Sequence, residues 1–342
     1  MARFLLLPIV VSLSLLAASC GDDGSETTVG TSAPPSVETT SGTITPTTPE
    51  EAPPATDGRY PLTVEHTLGT TVIPSAPERI VAGFAECIGE KLIALGIEPV
   101  GVGQPSVAFP TGPEAYGLDR LPELPLVTSG IELDLEAVAG LDPDLIVIDP
   151  TLHGPFYDLL AQIAPTVPID AFVDDWEPQL RQLAEWTDRT EVAESVIDDY
   201  DERVAAVAGP LQELIDGRSV AMLSVFAGMS DVVVRGPDTS PGRLLTDLGI
   251  EIWQPPAGGV EIAPGLSSYS EEIVPDLDAD CALYPTGPGF VPAEELLASS
   301  LWAQLPSVVD ECFFVLPDGD HFVAGGPLQK FIALDDLADL AN

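Results

Sequence analysis

The stretch from Glu177 to Gly217 limits the choice of fold more than any other part of the chain. Ala193, Val196, Ile197, Tyr200, Val204, Val207, Ala208, Leu211, Leu214 and Ile215 recur at three- and four-residue steps, and Asp198, Asp199, Asp201 and Glu202 fill the turns between them. That spacing makes one stripe of a helix apolar. Asp188 followed by Glu191 reads as an N-cap pair, and Gly217 suits the left-handed residue that stops a helix. From Thr190 to Asp216 such a helix runs roughly 40 Å, long enough to pass two lobes rather than lie under one. A long core helix of a single lobe has the same pattern, so the flanking sequence has to separate the two readings.

On both sides, short apolar strands alternate with helical segments. Before the helix, Arg79–Phe84, Pro99–Gly103, Pro125–Ser129, Leu145–Ile148 and Thr166–Val173 read as strands, with helices at Ile88–Leu95 and His153–Ala164. After it come strands at Ser219–Phe226 and Asp231–Arg235 and a helix at Pro241–Leu248. Further elements follow at Cys281–Tyr284, Ser300–Leu305 and Cys312–Leu316, then a last helix at Pro327–Leu340. Val- and Ile-rich strands with helices between them predict parallel sheets covered on both faces. A local motif also repeats. Glu136 to Asp144 (EAVAGLDPD) leads into Leu145–Ile148, and Glu272 to Asp280 (EIVPDLDAD) leads into Cys281–Tyr284. In each, a Glu stands five residues before a Leu at a helix start, where the helix dipole favours a carboxylate. Two copies in two α/β halves predict a pseudo-symmetric surface carrying Glu136 and Glu272.

The domain reading is a targeting segment at 1–19, a tether at 20–58, an N-terminal α/β lobe at 59–174, a connecting helical segment at 175–217 and a C-terminal α/β lobe at 218–342. Arg3, the apolar run Phe4–Leu16 and the small residues Ala17-Ala18-Ser19 before Cys20 read as a lipoprotein signal, with Cys20 the lipidated residue. Ala17 stands where that pattern usually has Leu. The apolar run is too short for a membrane span. Gly21 to Asp57 is Ser-, Thr- and Pro-rich and lacks the apolar residues to order itself. Outside the cytoplasm Cys281 and Cys312, each at a strand start, are candidates for a disulfide, leaving Cys87 a buried thiol. A net charge of −43 excludes nucleic acid and anionic membrane surfaces as partners. No phosphate-binding glycine loop and no nucleophile elbow is present, so nucleotide-dependent and hydrolase chemistry lack support.

From Arg79 to the C-terminus the chain resembles the substrate-binding lipoproteins of bacterial ABC importers for iron-siderophores, haem and cobalamin. The stretches that carry the resemblance are Pro77–Val81, Leu92–Val102 (LIALGIEPVGV), Leu135–Val147 (LEAVAGLDPDLIV), Leu160–Val167 (LAQIAPTV), Ser270–Asp280, Leu301–Val308 (LWAQLPSV) and Gly325–Leu328. The resemblance implies two α/β lobes with parallel-sheet cores joined by one long helix, the ligand in the cleft between them. It implies an extracytoplasmic monomer, held at the membrane by a lipid anchor only, that delivers a ferric siderophore to a permease dimer and its ATPase. It also implies that Glu136 and Glu272 meet arginines of that permease, with Glu271 a neighbour that shares or confuses the role. Haem, cobalamin or another metal chelate is the alternative ligand. An anchored surface protein without a transporter and a secreted hydrolase are the alternatives of other classes.

Residue chemistry sets the candidates for the cleft. Ferric siderophores are often anionic and flat-sided, which favours Arg and aromatic side chains. With Lys+Arg only 12, each base is informative. Arg235, at a strand end before the loop Gly236–Ser240, leads; Arg243 at a helix start and Arg120 in a loop follow. His153 and His321 are further candidates, as are Trp253, Tyr284 and Phe290 for an apolar wall. Glu86 faces the same way, and an acid there works against a purely anionic ligand. The three His are too scattered for a zinc site, and no cofactor is expected beyond the bound chelate.

Overall fold

The computed structural model describes residues 59–103, 121, 123–129, 132–170, 176–263, 265–287, 289–317, 322 and 326–341. The candidates Cys20, Arg120 and His321 lie outside them, as does the Glu86 side chain. The first lobe opens with a hairpin absent from the sequence reading, β1 (Leu62–His66) against β2 (Gly69–Ile73). Its sheet is built from β3 (Ile80–Ala82), β4 (Gly101–Val102), β7 (Leu145–Ile148) and β8 (Thr166–Pro168), all parallel, in the order β4-β3-β7-β8. Every described residue of β3, β7 and β8 is buried, as strands covered on both faces require. The strand expected at Pro125–Ser129 contributes only a bridge, Leu126 to Val102. Its end, β5 (Thr128–Ser129), turns back on β6 (Glu132–Leu133) instead of joining the sheet. A π-turn at Ala85–Gly89 leads from β3 into α1 (Glu90–Ala94), which stops at Gly96 with φ +73°. Then come α2 (Leu135–Gly140), α3 (Pro150–His153) and α4 (Tyr157–Leu160). Of the helix expected at His153–Ala164, only α4 is α-helical; its start is a 3-10 turn at Gly154–Phe156, since Pro155 has no N–H to continue the ladder.

The connecting segment is α5 (Trp176–Thr187) followed by α6 (Thr190–Ile215), whose 26 residues span about 39 Å. Ala193, Ile197, Tyr200, Val207, Leu211 and Ile215 are its buried stripe, drawn from the positions the periodicity marks. Each buried Val, Leu or Ile side chain of the stripe contributes about 1.5–3 kcal/mol. The caps differ from expectation. Asp188 is left-handed (φ +57°) and pairs with Arg59 at 2.5 Å, so Arg189 takes the N-cap position without a side-chain bond. At the other end Asp216 (φ +54°), not Gly217, is the C-cap; Gly217 follows in the same conformation.

The second lobe carries β9 (Val220–Ser224), β10 (Val232–Arg235), α7 (Ser240–Asp247), β11 (Val260–Ala263), β12 (Leu266–Tyr269), β13 (Cys281–Pro285), α8 (Ala293–Leu297), α9 (Pro306–Val309) and β14 (Phe313–Leu316). The final helix, α10 (Pro327–Leu340), has the expected bounds. The sheet order is β11-β12-β10-β9-β13-β14. Its core, β9-β13-β14, is parallel, but β10, β11 and β12 are antiparallel additions, so this sheet is mixed rather than parallel throughout. Ser300–Leu305 is a 3-10 turn at Trp302–Gln304. A disulfide joins Cys281 to Cys312, whose Cα atoms lie 4.7 Å apart at the starts of neighbouring strands. Cys87 is half-buried rather than buried.

The repeated motif has a structural cause. Asp144, just before β7, accepts the backbone N–H groups of Glu78 and Arg79 at 2.8 and 2.9 Å and so fixes the entry to β3. Asp280, just before β13, accepts the N–H of Ser219 at 2.9 Å and its hydroxyl at 2.8 Å, and so fixes the entry to β9. Each lobe thus uses one carboxylate to pin its first strand beside its central one.

Candidate ligand site and docking surface

Ligands of α/β sheets bind beyond the carboxyl ends of parallel strands. In the second lobe that edge starts at Ser224. Two residues on, Phe226 stacks against Phe290 with ring centroids 5.4 Å apart, and the two backbones form a bridge. Phe290 is 3 % exposed, so Phe226, which is half-buried, carries the accessible aromatic face. Arg235 reaches this edge by an unexpected route. Because β10 runs antiparallel to β9, Arg235 sits opposite Met222, and its loop leaves the sheet at the far edge. The side chain instead runs back along the sheet. Its Nη1 donates to Ser224 Oγ, and its guanidinium carbon lies 5.8 Å from the Phe226 ring centroid. It is 5 % exposed, and among the described residues no carboxylate forms an ion pair with it. Burial pushes its pKa down to about 10. Its charge is met by one hydroxyl and one ring face, which is little compensation for a buried cation.

Other candidates fall elsewhere. Tyr284 lies inside β13, not after it, and is fully buried against Trp302 and Phe313. Its hydroxyl donates to Val291 O at 2.7 Å, and burial pushes its pKa up to about 12, so it is core. Trp253 is at the wrong edge: its N–H bonds Val220 O, at the amino end of β9, and its indole donates to Asp278 at 3.0 Å. His153 is 1 % exposed, because the short α3 folds its ring inward, where Nδ1 accepts from Asp149 N at 3.2 Å. Arg243 is exposed as the fourth residue of α7, where it lines a cavity of about 610 Å³ with Trp176, Glu177, Arg181, Asp238, Asp247 and Lys330. Acids and bases are balanced there. Among the described residues no cluster of His, Cys or acids has the geometry to hold a metal ion.

Glu136 and Glu272 occupy matching places. Asp134 accepts from the N–H of Glu136 at 3.0 Å, and Ser270 from that of Glu272 at 3.5 Å. Each cap stands two residues before its Glu, and both glutamates are exposed. Glu271 is distinct, since its carboxylate accepts from the Trp302 indole at 3.0 Å.

Residues 81–276, which take in parts of both lobes and the long connecting helix, match the model of the periplasmic binding protein family. The chain is a periplasmic binding protein. It is 31% identical over 288 residues to the probable siderophore-binding lipoprotein YfiY of Bacillus subtilis, covering 80% of this chain and 86% of that one. It is 27% identical to the achromobactin-binding periplasmic protein of Dickeya dadantii, over 77% of this chain and 86% of the other. Among solved structures it resembles the siderophore periplasmic binding protein from the fuscachelin gene cluster of Thermobifida fusca. The TM-score is 0.62 at 27% identity, covering 79% of this chain and 98% of that chain.

This binding protein also holds residues that carry no local signal. Ser224 and Phe226 matter because of a strand direction that periodicity does not reveal. Glu90, fully buried in α1, bonds to α10 across 238 positions of sequence. Its one sequence trace is a polar Glu-Lys pair on a helix start otherwise read as amphipathic.

Proposed function

We propose that this periplasmic binding protein captures a ferric siderophore in the cleft between its lobes, outside the cytoplasmic membrane, and delivers it to an ABC permease dimer driven by its ATPase. The observation that carries the reading is Arg235, a buried guanidinium with no carboxylate partner among the described residues. A carboxylate, catecholate or hydroxamate oxygen of a metal chelate supplies the missing negative charge through charge-assisted bonds. Phe226 beside it offers an apolar face to a flat ligand arm. The siderophore-binding relatives support the same ligand class.

In this reading the protein is a carrier, not an enzyme, and acts as a monomer. Cys20 takes the lipid anchor, and the segment from Gly21 to Asp57 is the tether that lets the body reach the permease. Glu136 on one lobe and Glu272 on the other dock a two-fold partner by pairing with its arginines. The test is uptake of radioactive iron as a panel of ferric siderophores by the native host with and without this gene. Loss of uptake for at least one siderophore on deletion, restored by the gene, supports the function. Undiminished uptake of every chelate, with loss of haem or cobalamin uptake instead, overturns it.

A further inference from the structure

The N-terminus of α10 is capped from the other lobe. Gly326 at its N-cap has no side chain to accept a bond, and Pro327 at the first position has no N–H. The next two N–H groups, of Leu328 and Gln329, both donate to Glu90 Oε1, at 2.8 and 3.0 Å. The Gln329 side chain donates to Glu90 Oε2 at 3.1 Å. The fit is close: a Cβ on Gly326 would come within 1.5 Å of Glu90 Oε2. Glu90 is fully buried in α1, which follows the first strand of the N-lobe sheet. One residue further along α10, Lys330 donates to the carbonyl and hydroxyl of Ser240 in the C-lobe helix α7, both at 3.1 Å. The start of α10 is therefore fastened to both lobes.

Two features single out the Glu90–Gln329 pair. The amide oxygen Oε1 of Gln329 is buried and has no hydrogen-bond partner among the described residues, although a carboxyl group lies against the same amide. An amide that turns over presents that oxygen to Glu90, and only a protonated carboxyl has a hydrogen to give it. The pair thus has two complete arrangements: amide N–H to carboxylate, or carboxyl O–H to amide oxygen. The charged groups acting on Glu90 are Lys91 on its own helix, whose Nζ donates to Cys87 O at 3.1 Å, and Lys330 on α10. Both favour the carboxylate, as do the two backbone N–H groups, yet burial outweighs them and raises the Glu90 pKa to about 7.

We infer that Glu90 and Gln329 form a proton-sensitive tie that fastens the N-lobe to α10 and, through Lys330, to the C-lobe. Glu90 is a positioning residue: it is fully buried and acts by holding the start of α10. The direction follows from linkage. When the tie opens, Glu90 meets water and its pKa returns toward the ordinary 4.5; when closed it stays near 7. The closed form therefore binds the proton more tightly, and rising pH favours opening through the window between those values. A shift of that size changes the opening equilibrium by on the order of 100-fold. The tie is tight in acid and looser at and above neutrality.

Hydrogen exchange of the Leu328 and Gln329 amides in the ligand-free protein tests this, followed from pH 5 to pH 8 and corrected for intrinsic exchange. In the wild type their opening constant is expected to rise on the order of 100-fold, while Leu223 in the C-lobe sheet shows no such rise. Glu90→Gln is a neutral isostere that donates to Gln329 Oε1 at every pH, so its opening constant is expected to stay flat. A flat wild-type profile overturns the tie, as does a variant that keeps the wild-type step. If the variant does not fold, the wild-type profile alone decides, because a merely structural Glu90 gives no step in this window.

Discussion

Arg235 shows how one residue can be found for an incomplete reason. Its scarcity as a base in a chain of net charge −43 marked it, and its place before a loop suggested the ligand edge. The antiparallel direction of β10 puts that loop at the opposite edge, and the length of the arginine side chain brings the charge back to Ser224 and Phe226. Arg235→Gln is expected to weaken binding of an anionic ferric siderophore by at least about tenfold, since bonds to a charged group carry about 1.5–3 kcal/mol. Arg235→Met should keep or raise the thermal midpoint, because it removes a buried charge that no carboxylate of the described residues pairs with. Calorimetric titration and thermal unfolding of the two variants check the pair. A loss of stability in both with unchanged affinity would assign Arg235 to the fold alone. Tyr284, Trp253 and His153 were candidates on the same sequence logic, and burial turned each inward. Aromatic and imidazole side chains near strand ends look alike in sequence whether they face a cleft or a core.

At the scale of elements, the long helix α6, the final helix α10 and the central strands were legible because their apolar period is unbroken. What stayed hidden depends on distant partners. The mixed character of the C-lobe sheet is one case, since β10 is as Val-rich as a parallel strand. The β1–β2 hairpin is another, as its two five-residue strands are short and half-exposed. The duplicated Glu-to-Asp motif was visible as a pattern, while its cause, the Asp144 and Asp280 pins, required coordinates. The disulfide closes a separation of 31 residues between β13 and β14. Replacing Cys281 and Cys312 by Ala is expected to cost about 3–4 kcal/mol from the freed unfolded chain, with the ligand edge of the sheet intact. Chemical denaturation should show the lower midpoint, and an unchanged one would remove the disulfide from the list of stabilising features.

At the scale of the whole molecule, the two lobes present matched carboxylates outward and are fastened together by helices α6 and α10. Glu136 and Glu272 are exposed behind equivalent caps, whereas Glu271 is engaged with Trp302, which separates the docking candidates from their neighbour. Glu136→Ala with Glu272→Ala is expected to leave ligand affinity unchanged and to abolish iron uptake by cells; lost affinity would contradict a docking role. The family was legible in the order of short motifs, but the ligand was not, because it depends on a few side chains brought together from separate strands. The central claim is capture of a ferric siderophore. Its most direct test is calorimetric titration of the purified protein with ferric siderophores, their iron-free forms, haem and cobalamin. Saturable one-to-one binding of at least one ferric siderophore, with weak or no binding of haem and cobalamin, is the predicted result. Saturation by haem or cobalamin with no ferric siderophore bound would contradict it.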